Sequence, residues 1–463
     1  MDILFLNPPW HKKSGNIWKS VSSCMPPFGL GILAALARES GFSVAIIDYN
    51  AERVGLDRAQ EYLPSSAPKF IGITATTILI DSALELAKIA KKKYPDTKII
   101  IGGVHATVMP KETLNHPEVD YILMGEGENS FLELLAGKDP RTIKGLGFKN
   151  NGEIILNPPQ PMIPDLNVFP IMAYDLLPMD KYYSAPCSYK REPSLGMITS
   201  RGCPGRCTFC NGDLFGSVIR FRSAEKMLEE IKFLQGKYDV NDIVFYDDTF
   251  TSNRKRMKDF CRLLIENKID LTWSCFSRVD TVDLEILREM KKAGCHQVMY
   301  GVESGDPQIL SNINKKISLE KVRETVAATK KAGLEVRLAF MLGSPGETEE
   351  TLKKTIKFAI DLDPDLVSFN ITTPYPGTQM FAWAEQQKCL INKNWPEYDL
   401  ARPVMTLPTV DSKKILYYYK KAHRQFYFRP SYIIKKMIKM RSFNDFKNNL
   451  KPFLSLLKFN FEK

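Results

Sequence analysis

No apolar run in this 463-residue chain approaches the roughly 18–20 residues that span a bilayer. The opening residues, MDILFLNPPW, carry no basic leader ahead of their short apolar run and read as a first β-strand, not a signal peptide. A disulfide framework is also lacking: nine cysteines in a chain of this length, without a secretory signal, point to thiols kept reduced in a cytoplasm. No G-x-G-x-x-G follows the first apolar run and no P-loop occurs, so binding of dinucleotides or nucleoside triphosphates by those devices is unsupported. Internal repeats and low-complexity segments are absent as well.

What is present is the composition of a globular protein, 44% hydrophobic and 25% charged, with length enough for two domains and a small third. The net charge of +11 is unevenly placed. Residues 401–463 hold 15 Lys and Arg against 3 Asp and Glu, leaving 49 against 50 in the rest. The basicity therefore belongs to the tail, and the pI near 9.0 does not make the whole chain a nucleic-acid binder.

Short apolar runs at Ile3–Asn7, Ser43–Asp48, Phe70–Thr74, Lys98–Gly102 and Tyr121–Met124 alternate with helical periodicity at Gly29–Ser40 and Asp81–Tyr94. That alternation predicts βαβ units with a parallel sheet over residues 1–140. Prolines at 158, 159, 161, 164, 170, 178, 186 and 193 mark residues 141–190 as an extended linker. A second α/β series fills 191–390, with strands at Gly196–Thr199, Asp242–Tyr246, Thr272–Phe276, Gln297–Gly301, Glu335–Leu342 and Leu366–Asn370, five helices between them, and the outline of a partial parallel barrel. Residues 391–463 read as a helical, aromatic and basic region.

The segment that carries chemistry is TSRGCPGRCTFCN, Thr199–Asn211, with Cys203, Cys207 and Cys210 spaced C-x3-C-x2-C. Thiolates are the soft ligands an iron–sulfur cluster needs. Three of them on one loop hold three irons of a cubane and leave the fourth open to a small molecule, as catalytic metals keep a position that structural sites close. A zinc site would bring a second C-x2-C pair or histidines, whereas Cys261, Cys275 and Cys295 lie singly.

That motif after the first barrel strand, with Phe209 just before the last cysteine, resembles the radical S-adenosylmethionine (SAM) superfamily over Leu195 to about Lys388. The resemblance implies a [4Fe–4S] cluster on Cys203, Cys207 and Cys210 whose open iron chelates SAM. One-electron reduction then yields a 5′-deoxyadenosyl radical. It also implies SAM contacts from Phe209, from Asp247 and Asp248 in FYDDTFT, from Glu303 and Ser304 in GVESGD, from Arg337 (to the SAM carboxylate) and Gly343 in RLAFMLGSPGET, and from Tyr375 in TPYPGT. Each segment follows or ends a successive strand, where barrel enzymes keep their active sites.

Over Met1–Gly137 the chain resembles the cobalamin-binding domain of cobalamin-dependent radical SAM proteins, a group that includes methyltransferases and magnesium-protoporphyrin monomethyl ester cyclase-like enzymes. The resemblance implies cobalamin contacts from Pro27, Thr74, Thr76, Thr77, Gly102, Gly103, His105, Ala106, Thr107, Gly125 and Glu126, at strand ends where open α/β sheets bind ligands. None of the five histidines sits in a D-x-H-x-x-G motif, so cobalamin is expected without a histidine lower ligand, the Thr76–Leu79 loop covering that face and His105 shaping the pocket.

The expected fold is thus α/β: an N-terminal Rossmann-like cobalamin-binding domain, a partial (β/α)6 radical SAM barrel and a C-terminal helical region. The expected activity is methylation of an unactivated carbon by way of methylcobalamin. A non-methylating cyclase or rearrangement enzyme on a lipid or tetrapyrrole-like substrate is the alternative, and S-adenosylhomocysteine would separate the two. A methylthiotransferase would need N-terminal cluster cysteines, and only Cys24 precedes Cys187. A bare cobalamin or lipid carrier would not need Cys203. Expected partners are a small-molecule substrate, for which a lipid-like one is weighed, and an electron donor such as flavodoxin or ferredoxin. The basic aromatic stretch Leu416–Met440 suits either a helical cap on the barrel or peripheral contact with an anionic membrane; nucleic acid is disfavoured.

Overall fold

Strands that run apolar along their whole length need cover on both faces, and the first sheet has it. In the computed structural model, which describes residues 1–10 and 22–439, the elements of this region in chain order are β1 (Ile3–Asn7), α1 (Phe28–Glu39), β2 (Val44–Asp48), β3 (Phe70–Thr74), α2 (Ile80–Lys93), β4 (Lys98–Gly102), β5 (Tyr121–Leu123), α3 (Glu128–Leu135), β6 (Leu146–Asn150) and β7 (Glu153–Leu156). The sheet order is β2-β1-β3-β4-β5-β6-β7, parallel through β5 and antiparallel beyond it. Ile3, Phe5 and Ile100 pack under α1 and α3, while Leu4, Leu6, Ile71 and Ile73 pack under α2 on the other face. The hairpin β6–β7 falls inside residues 141–190, the stretch read from sequence as linker. It extends the sheet because Leu146 and Phe148 supply apolar residues to the same core.

The proline-rich stretch that follows has only 3-10 turns, and it straps back over α1. Ala173 N–H donates to Gly31 O at 3.1 Å, and a Cβ on Gly31 would lie 2.1 Å from Met172 Cγ, so only glycine admits the strap there.

The second sheet is built from β8 (Ser194–Met197), α4 (Ala224–Tyr238), β9 (Asp242–Phe245), α5 (Arg254–Glu266), β10 (Thr272–Ser277), α6 (Leu284–Lys292), β11 (Cys295–Glu303), α7 (Leu319–Lys331), β12 (Glu335–Leu342), α8 (Glu349–Leu362) and β13 (Leu366–Ile371). All six strands are parallel and stand in sequence order, a curled half-barrel with helices outside. Alternation sorts each strand: Val336, Leu338, Phe340 and Leu342 of β12 join the core beneath the helices, which puts Arg337, Ala339 and Met341 on the concave face. Cys261, Cys275 and Cys295, single in the sequence, converge in this core, where Cys275 is hydrogen-bonded to Cys295 and burial pushes its thiol up.

Beyond the barrel lie α9 (Gln379–Gln386), α10 (Ser412–Tyr427) and α11 (Pro430–Lys439). Helix α10 is the cap on the barrel: Ile415, Tyr418, Tyr419, Ala422 and Phe426 are buried in the barrel core. Residues 440–463, the end of the region read as helical and basic, lie outside the described residues. Among the described residues no helix is long and apolar enough to cross a membrane.

Candidate active site between the two sheets

The cluster loop is closed at its base by a short antiparallel ribbon, Ser200–Arg201 against Arg220–Phe221. Gly202 opens it at φ +92°, where a Cβ would lie 2.7 Å from Val218 O and 2.8 Å from Gly216 O; a side chain is excluded on both counts. Within the loop Cys203 N–H donates to Gly216 O (3.3 Å) and Cys210 N–H to Cys207 O (3.1 Å). From outside, Thr208 N–H donates to Ile313 O (3.0 Å), Met380 N–H to Thr208 O (2.8 Å) and Asn314 Nδ2 to Arg206 O (2.6 Å), so the far side of the barrel fixes the loop.

The donor set fits an iron–sulfur cluster. Cys203 and Cys207 are half-buried and Cys210 exposed, and a Cβ on Gly205 would touch Cys203 Sγ at 3.4 Å and Cys207 Sγ at 3.9 Å, so two thiols turn to one side of the loop. Among the described residues no three His, Cys, Asp or Glu stand close enough to share a single ion; thiolates on three separate irons of a cubane are spaced more widely. Desolvation by the surrounding loop pushes the Cys207 thiol up, and together with the charges of Asp248 and the other two cysteines it pushes the Cys210 thiol up to about 12. Coordination acts oppositely, since a metal-bound thiol is deprotonated outright. Arg278 and Lys315, neither apparent from the sequence, bring positive charge to these thiols.

The two aspartates just beyond β9 part company. Asp247 is 1% exposed and accepts from Thr199 N–H (2.6 Å), Ser200 N–H (2.6 Å) and Thr199 Oγ1 (2.5 Å). It braces the turn from β8 into the cluster loop and has no face left for SAM. Asp248 opens to the cavity without a protein partner; the surrounding protein and the charge of Asp247 both hold its carboxyl above the usual range.

Glu303, at φ +71°, accepts from Lys315 Nζ at 2.8 Å, and both are largely buried; Lys315 Nζ also stands 6.0 Å from the centroid of the Phe209 ring. Ser304 is buried, bonded to Thr355 Oγ1 (3.1 Å) and accepting from Asp306 N–H, which makes it part of the β11–α8 packing and not a free ligand. Gly343 turns at φ +96° against Ile415 and gives its N–H to buried Glu347, whose carboxyl burial pushes up to about 8. Tyr375 donates to Tyr398 O (2.6 Å) and packs on that ring. Arg337 stands three residues below Phe340, the register partner of Glu303, and its charge reaches Tyr246, Cys187 and Tyr427.

A cavity of about 330 Å³ runs from the carboxyl ends of the first sheet to the cluster side of the barrel. Of the residues expected at cobalamin, Thr74, Gly102, Gly103, Gly125 and Glu126 line it; Pro27, Thr76, Thr77, His105, Ala106 and Thr107 do not. Gly103 sits at φ +101° with a would-be Cβ 2.7 Å from Ala75 O, a strand end only glycine can form. Thr107 acts behind the wall, its Oγ1 accepting from Gly125 N–H at 3.0 Å. His105 is fully buried away from the cavity, 3.3 Å from Thr77 Oγ1, 3.5 Å from Glu112 and 5.6 Å from the Trp395 ring, and burial lowers its pKa. The apolar wall comes from Phe28, Leu33, Phe131, Phe169 and Met172, on helix faces and in the strap, where sequence offers no signal beyond apolarity. The barrel side contributes Met197, Ile198, Tyr246 and Asp248.

Glu126 belongs to an ionic knot that locks the two sheets together. Its carboxylate meets Arg220 (2.8 Å), Arg201 (3.1 Å) and Ile163 N–H (2.8 Å), and Arg201 also meets Glu128 (2.6 Å). Burial opposes ionisation of Glu126, but these partners outweigh it and hold the carboxyl below its usual range. The basic members flank the cluster loop, so the same ion pairs that join the sheets also fix the ribbon carrying the cysteines.

Comparison with known proteins agrees with this layout. Residues 197–359 match the Radical SAM superfamily and residues 17–135 the B12 binding domain. The chain is 38% identical over 449 residues to an uncharacterized methyltransferase of Pyrococcus horikoshii, covering 96% of each chain. It is 27% identical over 446 residues to the anaerobic magnesium-protoporphyrin IX monomethyl ester cyclase of Rubrivivax gelatinosus, covering 94% of this chain and 78% of that one. Its fold is similar to that of the cobalamin-dependent S-adenosylmethionine radical enzyme OxsB, with TM-score 0.75 at 17% identity, over 98% of this chain and 72% of that one. With three cysteines on the first barrel loop, a glycine-rich cavity running from a B12-binding sheet to the base of that loop at Arg201 and Gly202, and a relative of this identity along its whole length, the chain belongs to the cobalamin-binding radical SAM enzymes.

Proposed function

We propose that this enzyme transfers a methyl group to an unactivated carbon of a small-molecule substrate. The observation that carries the reading is the continuity of the cavity: Gly103 and Gly125 at the B12-binding strand ends and Asp248 beside the cluster loop line one space. When bound, the cluster and SAM supply a hydrogen-abstracting radical, and the corrin supplies the methyl group. The chain's own residues do the rest. Cys203, Cys207 and Cys210 hold iron, and Asp248 and the Glu303–Lys315 pair face the charged groups of SAM. Glycines let backbone approach the flat face of a corrin, while Phe28, Leu33, Phe131 and Phe169 exclude water from the radical's path.

Enzyme reconstituted anaerobically with iron, sulfide, SAM and cobalamin and then reduced is expected to release 5′-deoxyadenosine, and Cys203→Ala to release none. Equal release from both would overturn the reading. S-adenosylhomocysteine formed in step with 5′-deoxyadenosine identifies methyl transfer. Its absence on turnover selects the second reading, a radical cyclase or rearrangement enzyme, which the likeness to the Rubrivivax cyclase favours.

The reducing electron is assigned to a small carrier such as flavodoxin or ferredoxin, and the compartment to the cytoplasm. Peripheral membrane contact, and with it a lipid-like substrate, is supported by α11, where Ile434, Met437 and Ile438 are 57%, 64% and 76% exposed beside Lys436. Cosedimentation with phosphatidylglycerol vesicles should be lost on replacing all three with serine; binding that survives the replacement refutes that role for α11.

A further inference from the structure

Arg337 is a cation on the concave wall of the barrel with no use yet assigned. Among the described residues it makes no hydrogen bond or ion pair, whereas most of the other arginines are paired. Its strand register places it level with Met299 of β11 and Leu366 of β13, and Met299 in turn with Phe276 of β10. Below this level the barrel is plugged: Gln297 Nε2 donates to Cys187 O (3.0 Å) and Ser274 Oγ to Ser188 O (2.9 Å). Glu335, the nearest carboxylate along the strand, is engaged by Gln297 Nε2 at 3.2 Å. Arg337 acts on the Tyr246 hydroxyl, Tyr427 and the Cys187 thiol, which also feels Glu335 and Lys436.

Its height on the wall decides what it can touch. Gly301 pairs with Ala339 and Glu303 with Phe340, so Arg337 sits three residues nearer the floor than the Glu303–Lys315 pair, about 10 Å along the strand. The cations beside the cluster thiols are Lys315, within 2.8 Å of Glu303, and Arg278. A SAM carboxylate chelated to an open iron there would lie on their level. Its height sets Arg337 apart from the Glu303–Lys315 pair, and Tyr246, which lines the cavity, lies between the space above and the wall below. A planar guanidinium left without a partner in a half-enclosed barrel is an oxyanion site, since its fork matches carboxylate and phosphate alike.

We propose that Arg337 anchors an oxyanion of the substrate, a carboxylate or a phosphate, on the barrel floor. The reacting carbon is then held about 10 Å nearer the cluster. The inference rests on the radical reading above, but its test reads binding without turnover and so fails independently of it. Reconstituted holoenzyme saturated with SAM is titrated calorimetrically with inorganic phosphate and, separately, with acetate. Wild type is expected to bind one of the two anions in the millimolar range, which also tells phosphate from carboxylate. Arg337→Met should weaken that anion at least tenfold, and Arg337→Lys should retain part of the affinity and confirm a folded barrel. SAM affinity, by equilibrium dialysis, should shift less than threefold in both. No binding of either anion by wild type up to 50 mM would overturn the proposal. So would undiminished anion affinity in Arg337→Met, or a tenfold loss of SAM affinity in the two variants, which would return Arg337 to SAM.

Discussion

The adjacent carboxylates Asp247 and Asp248 should behave as two unrelated residues. Removing Asp247 leaves Thr199 N–H, Ser200 N–H and the Thr199 hydroxyl without their acceptor, and strips a counter-charge from Arg256, itself largely buried. Bonds to an ionised group contribute about 1.5–3 kcal/mol each, and stranding a buried charge costs about 3–5 kcal/mol. These terms overlap, since they share one carboxylate, so Asp247→Ala is expected to destabilise the barrel by about 4 kcal/mol. In a unit of roughly 200 residues that is a fall in Tm of about 10 °C. Because Thr199 and Ser200 lead into the cluster loop, iron content should fall with it. Asp248→Ala removes a carboxylate with no protein partner, so Tm should move by about 1 °C or less, iron content should hold and SAM affinity should fall. Thermal scans by circular dichroism at one fixed rate, iron analysis and equilibrium dialysis of SAM on the two variants decide the matter. The reasoning fails if Asp247→Ala melts within about 2 °C of wild type, or if both variants lose stability equally.

Two further outcomes follow from buried groups. Glu347 has its pKa raised to about 8, so the folded state holds a proton that the unfolded state releases near the ordinary value. Its stabilising contribution is complete at low pH and is lost as pH rises toward 8, about 2 kcal/mol of it between pH 6 and 8. Urea unfolding of Glu347→Gln should show a flatter pH dependence than wild type over that window; parallel profiles would refute the assignment. Gly103→Ala forces a side chain at φ +101° against Ala75 O, a strain of roughly 1–3 kcal/mol at the cavity wall. Cobalamin retained after desalting should drop sharply while iron content stays at the wild-type level, and equal retention would show that this strand end does not meet the corrin.

The amino-acid order alone settled what is local. Cysteine spacing needs only one loop, and the apolar runs of both sheets are long enough and separated widely enough to declare βαβ units, so β1, β3, β4 and β12 stand where periodicity puts them. Facing is a different matter. Asp247 and Asp248 are neighbours in sequence and opposite in space, because the turn after β9 packs one against Thr199 and Ser200 and opens the other to the cavity. Arg337 and Lys315 could not be ranked as cations for SAM until the register of β11 against β12 set their heights. His105, placed by its motif in a ligand pocket, is drawn under Trp395 by burial of its ring. Part of the cavity's apolar wall comes from a strap whose sequence reads as irregular, since whether Phe169 and Met172 face solvent or the cavity depends on where the chain returns over α1. Local spacing alone marks the three cysteines as an iron-ligand set; what surrounds them was decided by tertiary contacts among residues far apart in the chain.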